Sequence, residues 1–132
     1  MVTQSWAELL EDILEAGTWT NYRAVDGVSK DPPIRLIPRD SVRGEKNTHI
    51  QLDEKSAKEA PIQATGGAVI YTEKSGKLKA FCTKADHRNA IHDDIIAIMN
   101  ASAYEWVAKR GIKRYTLQKN NFVLEMDLTI LN

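Results

Sequence analysis

The chain has a single cysteine, Cys82, in 132 residues. An intramolecular disulfide is excluded, and a chain without such staples fits a reducing compartment. Net charge is missing as well, because 18 basic side chains balance 18 acidic ones. That balance removes any bulk pull toward nucleic acid or an anionic membrane. No apolar run approaches the length that spans a bilayer. The opening "MVTQSWAELLEDIL" has neither the basic nor the apolar part of a signal peptide. Nucleophile elbows, CxxC pairs and phosphate-cradling GxxxxGK[ST] loops are all absent. These absences point to a cytoplasmic protein with no membrane partner and no implied cofactor, leaning away from an enzyme. No family is recognised in its motifs.

What is present is the composition of one ordinary domain over residues 1–132, with 42% hydrophobic and 27% charged residues. "SWAELLEDILEAG" (5–17) reads as a first helix. Ser5 and Glu8 form a capping box, Trp6, Leu9, Leu10, Ile13 and Leu14 form one apolar stripe, and Gly17 supplies a left-handed stop. Glu8, Glu11, Asp12 and Glu15 make its other face acidic. Residues 18–65 read as a partly irregular arm, because Pro32, Pro33 and Pro38 forbid a helix there. "IRLI" (34–37) and "THIQL" (48–52) are its strand candidates, and "DEKSAKEA" (53–60) reads as a loop or a helical turn. "GGAVIYTEKSGKLKAFCT" (66–83) reads as a hairpin that turns at "EKSGK" on Gly76.

"DHRNAIHDDIIAIMNASAYEWVAKRG" (86–111) reads as the main helix, capped by Asp86 and closed by Lys109 and Arg110 before Gly111. Ile91, Ile95, Ile98, Met99, Ser102 and Trp106 share the stripe that should face a sheet. A strand at 112–118, a "KNN" turn and a strand at 122–131 follow. The implied fold is a two-layer α+β domain. Its antiparallel sheet has about four to six strands, with two helices on one face.

Three groups of residues are functional candidates. A second stripe on the main helix, Ala90, Ala97, Ala101, Tyr104 and Ala108, is small and uncharged, which suits an interface. It favours a homo-oligomer, a dimer first. The basic run 109–119 offers Lys109, Arg110, Lys113 and Arg114, with Tyr115 interleaved, to a ligand or a phosphate. Arg35, Arg39 and Arg43 in the arm would extend it. The stretch "DHRNAIHDDI" (86–95) holds Asp86, Asn89 and Asp93 on one face, the oxygen ligands that magnesium or calcium prefers. His87 and His92 are five residues apart, which is wrong for chelation from one helical face. A helix N-terminus stabilises such acids without any further duty. Cys82 reads as an inert strand thiol. Trp6 and Trp106 read as core, and Trp19 as a loop aromatic packed under the arm.

The leading expectation is thus a non-catalytic interaction or small-ligand-binding module, homo-oligomeric, that uses the arm and the basic segment. It has two alternatives. One is a small metal-dependent or His-assisted enzyme centred on Asp86, His87, His92 and Asp93. The other is a nucleic-acid or nucleotide-phosphate binder through Arg110, Lys113 and Arg114.

Overall fold

The computed structural model describes residues 5–27, 35–37, 48–63, 69–117 and 121–131. Helix α1 spans Trp6–Ala16, α2 Thr20–Asp26 and α3 Ala85–Ala101. Strands β1 (Arg35–Ile37), β2 (His49–Gln63), β3 (Val69–Cys82), β4 (Glu105–Thr116) and β5 (Phe122–Leu131) form one sheet in the order β1-β2-β3-β5-β4. Only the β1–β2 pair is parallel. The class is α+β, and the helices pack on one face of the sheet.

Local chemistry explains α1. Ser5 Oγ accepts the Glu8 N–H and donates to Glu8 Oε1, both at 3.2 Å. Trp6, Ala7, Leu9, Leu10 and Leu14 are buried, so the apolar stripe faces the sheet. Each large side chain buried there contributes about 1.5–3 kcal/mol. Gly17 ends the helix differently from the sequence reading. Its φ of −79° is not left-handed. Its missing side chain matters for space instead, because a Cβ there would collide with the Ile98 side chain.

Several boundaries move, each for a physical reason. The arm contains α2, a short helix that the sequence reading missed. Its N-cap, Trp19, provides no side-chain cap. Trp19 is itself buried and donates Nε1–H to the Leu14 carbonyl at 2.9 Å, so it belongs to the core. Gly27 closes α2 with a φ of 71°, the left-handed stop that glycine accepts without penalty. Arg35–Ile37 of "IRLI" lie in β1 and residues 49–52 of "THIQL" lie in β2, while Ile34 is outside the described residues. The polar "DEKSAKEA" is strand too, since β3 supplies a long paired edge for it after a register shift between Asp53 and Lys58.

The turn expected at "EKSGK" does not exist. β3 runs straight through Gly76, with β2 on one side and β5 on the other. Gly76 is there for Trp6, because a Cβ at this position would run into the indole ring. The same indole donates Nε1–H to the Leu128 carbonyl at 3.1 Å. Leu128 is the β5 partner of Gly76, so the ring lies over one rung of the sheet.

The main helix is shorter than predicted. It starts after Lys84, not Asp86, and it stops at Ala101. Ser102 ends it, donating Oγ–H to the Met99 carbonyl at 2.7 Å. "EWVA" then joins β4, where the register runs from Glu105↔Leu131 to Ala108↔Leu128. Aromatic and β-branched residues beside a long free edge favour the strand. The run that looked like an uncharged helix therefore alternates as a strand. Trp106 and Ala108 pack on the core, while Val107 and Glu105 are exposed. Ile91, Ile95, Ile98 and Met99 keep the buried stripe. The five-residue second stripe does not survive as one helical face, because Tyr104 and Ala108 lie beyond α3. Lys109 and Arg110 close no helix. Gly111, with a φ of 77°, sits where β4 slips register between Ala108 and Ile112.

Gly76→Ala should destabilise the fold by roughly 1–3 kcal/mol, because the methyl must displace a buried indole. Urea unfolding followed by tryptophan fluorescence checks this. An unchanged midpoint would show that Trp6 does not rest on this rung.

Candidate functional site

The described residues line a groove of about 670 Å³ between α1 and α3. Leu9, Asp12, Ile13 and Ala16 face it from α1, and Asp94, Ala97, Ile98 and Ala101 from α3. Both sets follow helical spacing, so each is one face of its helix. Thr18, Thr20 and Asn21 line it from the α1–α2 junction, and Ser102, Ala103 and Tyr104 from the turn after α3. The opening has a simple cause. Ala16, Ala97 and Ala101 are too small to fill the space between the helix surfaces, and protein interiors rarely leave such space empty. Leu9 and Ile98 form the buried floor, whereas Ala97 and Ala101 are exposed.

Asp94 is the polar centre of this wall. It is buried, yet both carboxylate oxygens are occupied. Oδ1 accepts the Asn21 N–H at 3.0 Å and the Asn21 amide at 3.1 Å, and Oδ2 accepts the Tyr22 N–H at 2.7 Å. The carboxylate therefore caps α2 from another helix, in place of the cap that Trp19 does not provide. Sequence reasoning missed it. The available signal was an acid inside an apolar stripe, since Asp94 lies three residues after Ile91 and four before Ile98.

The predicted interface residues divide. Ala97, Ala101 and Tyr104 meet in the groove, Ala90 is buried, and Ala108 lies in β4. The metal candidates Asp86, Asn89 and Asp93 are all exposed. Among the described residues no three His, Cys, Asp or Glu side chains gather as a metal site. The proposed His-assisted centre is also split. His92 Nδ1 lies 3.0 Å from Asp93 Oδ1 near the surface. His87 is buried, with Nδ1 3.0 Å from Thr48 Oγ1 and its ring edge-on to Tyr22. Burial of Cys82 lifts its thiol to about 12 and outweighs the nearby Arg88 charge, so the nucleophilic thiolate is suppressed.

The basic segment is less concentrated than its sequence suggests. Lys113 and Arg114 are exposed on opposite faces of β4. The side chains of Lys109, Arg110, Arg35, Arg39, Arg43 and Lys119 lie outside the described set. Tyr115 donates to Glu125 Oε2 at 2.9 Å, and Lys77 Nζ stands 2.9 Å from Glu125 Oε1. Burial works against the Glu125 charge, but Lys77 and Tyr115 outweigh it and hold the carboxyl below its ordinary range. Burial, then the bond to Glu125 and its charge, push the Tyr115 phenol from 10.0 to about 12. Tyr115 is thus engaged on the face of the sheet opposite the helices. No known protein family and no curated protein matches the chain. No helix among the described residues is long and apolar enough to cross a membrane.

Two measurements check this geometry. Asp94→Ala should cost about 1–3 kcal/mol for the amide groups left unpaired. Hydrogen exchange should show lost protection at Asn21 and Tyr22 first, and uniform loss across the domain would contradict a local cap. The second concerns alkaline pH. Folding raises the Tyr115 pKa, so its contribution is complete below pH 10.0 and is lost as pH rises toward about 12. Tyr115→Phe should flatten the fall of Tm across that window. Parallel curves for the two proteins would show that the Tyr115–Glu125 bond is not the titrating contact.

Proposed function

We propose that this chain is a non-catalytic binding module whose recognition surface is the α1–α3 groove. The observation that carries the reading is the groove itself, an open concavity with an apolar floor at Leu9, Ile13 and Ile98 and polar residues around it. Such a shape is the usual form of a binding site. Its floor is held by core residues, and Asp94 locks α2 against α3 at one end. The site is therefore built before any occupant arrives, which lowers the ordering cost of binding. The basic 109–119 segment is a weaker candidate surface, because its exposed charges point to both sides of β4. A cytoplasmic location agrees with the single cysteine, buried and protonated.

A neutral apolar dye, Nile red, tests the reading. Its fluorescence should rise on binding to the native protein. Ala101→Trp, at an exposed groove position, should fill the space and weaken the dye by about tenfold, or ~1.4 kcal/mol, at unchanged Tm. Equal dye binding by both proteins would overturn the assignment of the groove.

A further inference from the structure

We infer that the helix side of β4 carries a second binding site, in which Arg88 and Arg114 grip a dianionic phosphate monoester. The site is separate from the α1–α3 groove, which neither arginine lines. Arg88 supplies the first argument. It reaches from the start of α3 over the sheet, where Nη1 donates to the Tyr115 carbonyl at 3.2 Å. Its guanidinium carbon stands 5.5 Å from the centre of the Phe122 ring, within the range of a cation–π contact. These two contacts hold the group in place before any ligand arrives. Yet its Nε–H is buried and has no acceptor. An unpaired donor on a charged group is costly, and such an orphan points to a missing oxygen or ion. Nη1 is taken, so the unsatisfied edge is Nε with Nη2, a fork that fits two oxygens of one phosphate. Arg88 as a whole is part-exposed, so a ligand can approach the guanidinium from solvent.

Register supplies the second argument. Arg114 pairs with Leu124 and Thr116 with Phe122. Leu124 belongs to the core, so Arg114 and Thr116 project on the helix side, as Arg88 does. They flank Tyr115, whose carbonyl Arg88 holds, and stand about 7 Å apart along the strand. Arg114 is exposed and has no hydrogen bond or ion pair among the described residues. The nearby acids are turned away or engaged. Asp86 is two residues before Arg88, on the opposite side of α3. Asp93 meets His92, and Glu125 meets Lys77 and Tyr115 on the other face of the sheet. Cys82, which feels the Arg88 charge, is held protonated by burial. Two neighbouring guanidiniums repel each other until an anion joins them. A terminal phosphate carries close to two negative charges and three acceptor oxygens, which answers both arginines and leaves an oxygen for Thr116. A phosphodiester brings one charge and leaves one arginine unanswered.

Methyl phosphate, a small dianion with no apolar part, is the probe, used in chloride buffer at about pH 8, above its second pKa near 6. Titrated into the nitrogen-15-labelled full chain, it should shift the Arg88 Nε–H resonance saturably. Arg88→Lys, which keeps the charge, identifies that resonance by removing it. Arg114→Gln should weaken binding about tenfold. Lys113→Gln, on the opposite face of β4, should leave it unchanged. Dimethyl phosphate, a monoanionic diester, should bind about tenfold more weakly than methyl phosphate. An Arg88 resonance that does not respond would overturn the site, as would undiminished binding in Arg114→Gln. Equal loss in Lys113→Gln would reduce the effect to diffuse charge and refute a built site. Equal binding of dimethyl phosphate would refute the monoester. Tighter binding of an oligothymidylate with a 5′-hydroxyl end, lost in Arg114→Gln, would assign the face to a nucleic-acid backbone instead.

Discussion

The indole of Trp6 on the Gly76–Leu128 rung is the contact on which the helical layer depends. Trp6 opens α1, yet its N–H bonds a carbonyl 122 residues away on β5. It sits directly on the sheet because Gly76 leaves no Cβ in the way. One side chain thereby sets how close α1 stands to the strands and where along β3 and β5 it rests. Leu10, Leu14, Leu78 and Met126 then pack in the same buried cluster. A larger residue at Gly76 would lift the first turn of α1 and disturb everything beneath it.

The groove follows from this placement together with the small residues around it. α1 is fixed to the sheet, and α3 is fixed by Ile91, Ile95 and Met99. Between them Ala16, Ala97 and Ala101 face one another across the gap, so the outer space stays open. Asp94 keeps α2 from collapsing into it, since its two oxygens hold the first turn of α2 in place. A buried carboxylate with three donors is costly to assemble and costly to break, and such networks specify one arrangement over its neighbours. The wall of the site and the cap of a helix are the same side chain.

Much of the fold was legible in the residues. The Ser5–Glu8 cap, the stripe of α1, both ends of β5 and the strands at "IRLI" and "THIQL" follow from local rules. The errors share a cause, which is tertiary override of a local pattern. Gly76 signals a turn by sequence, but the indole that needs its space comes from the other end of the chain. "AYEWVA" continues a helical period by sequence, but β5 offers it a strand. α2 has no cap of its own, so nothing near Thr20 announces it. The groove was half visible for the same reason. Ala97, Ala101 and Tyr104 were recognised as an uncovered surface, but Leu9, Asp12 and Ile13 belonged to a helix whose position relative to α3 no local pattern reports.

The two edges of the sheet differ from its interior in how they meet other chains. One edge is β1, three residues long among those described. The other is β4, bent by the slip at Gly111 and carrying exposed Lys113 and Arg114. Long flat apolar edges recruit further strands and seed fibres, whereas short, broken or charged ones refuse them. The β4 edge is thus guarded against strand addition, whereas β2 beyond Gln51 has β3 as its one strand neighbour among the described residues. Along β4, contact with another chain is then left to side chains rather than to backbone pairing.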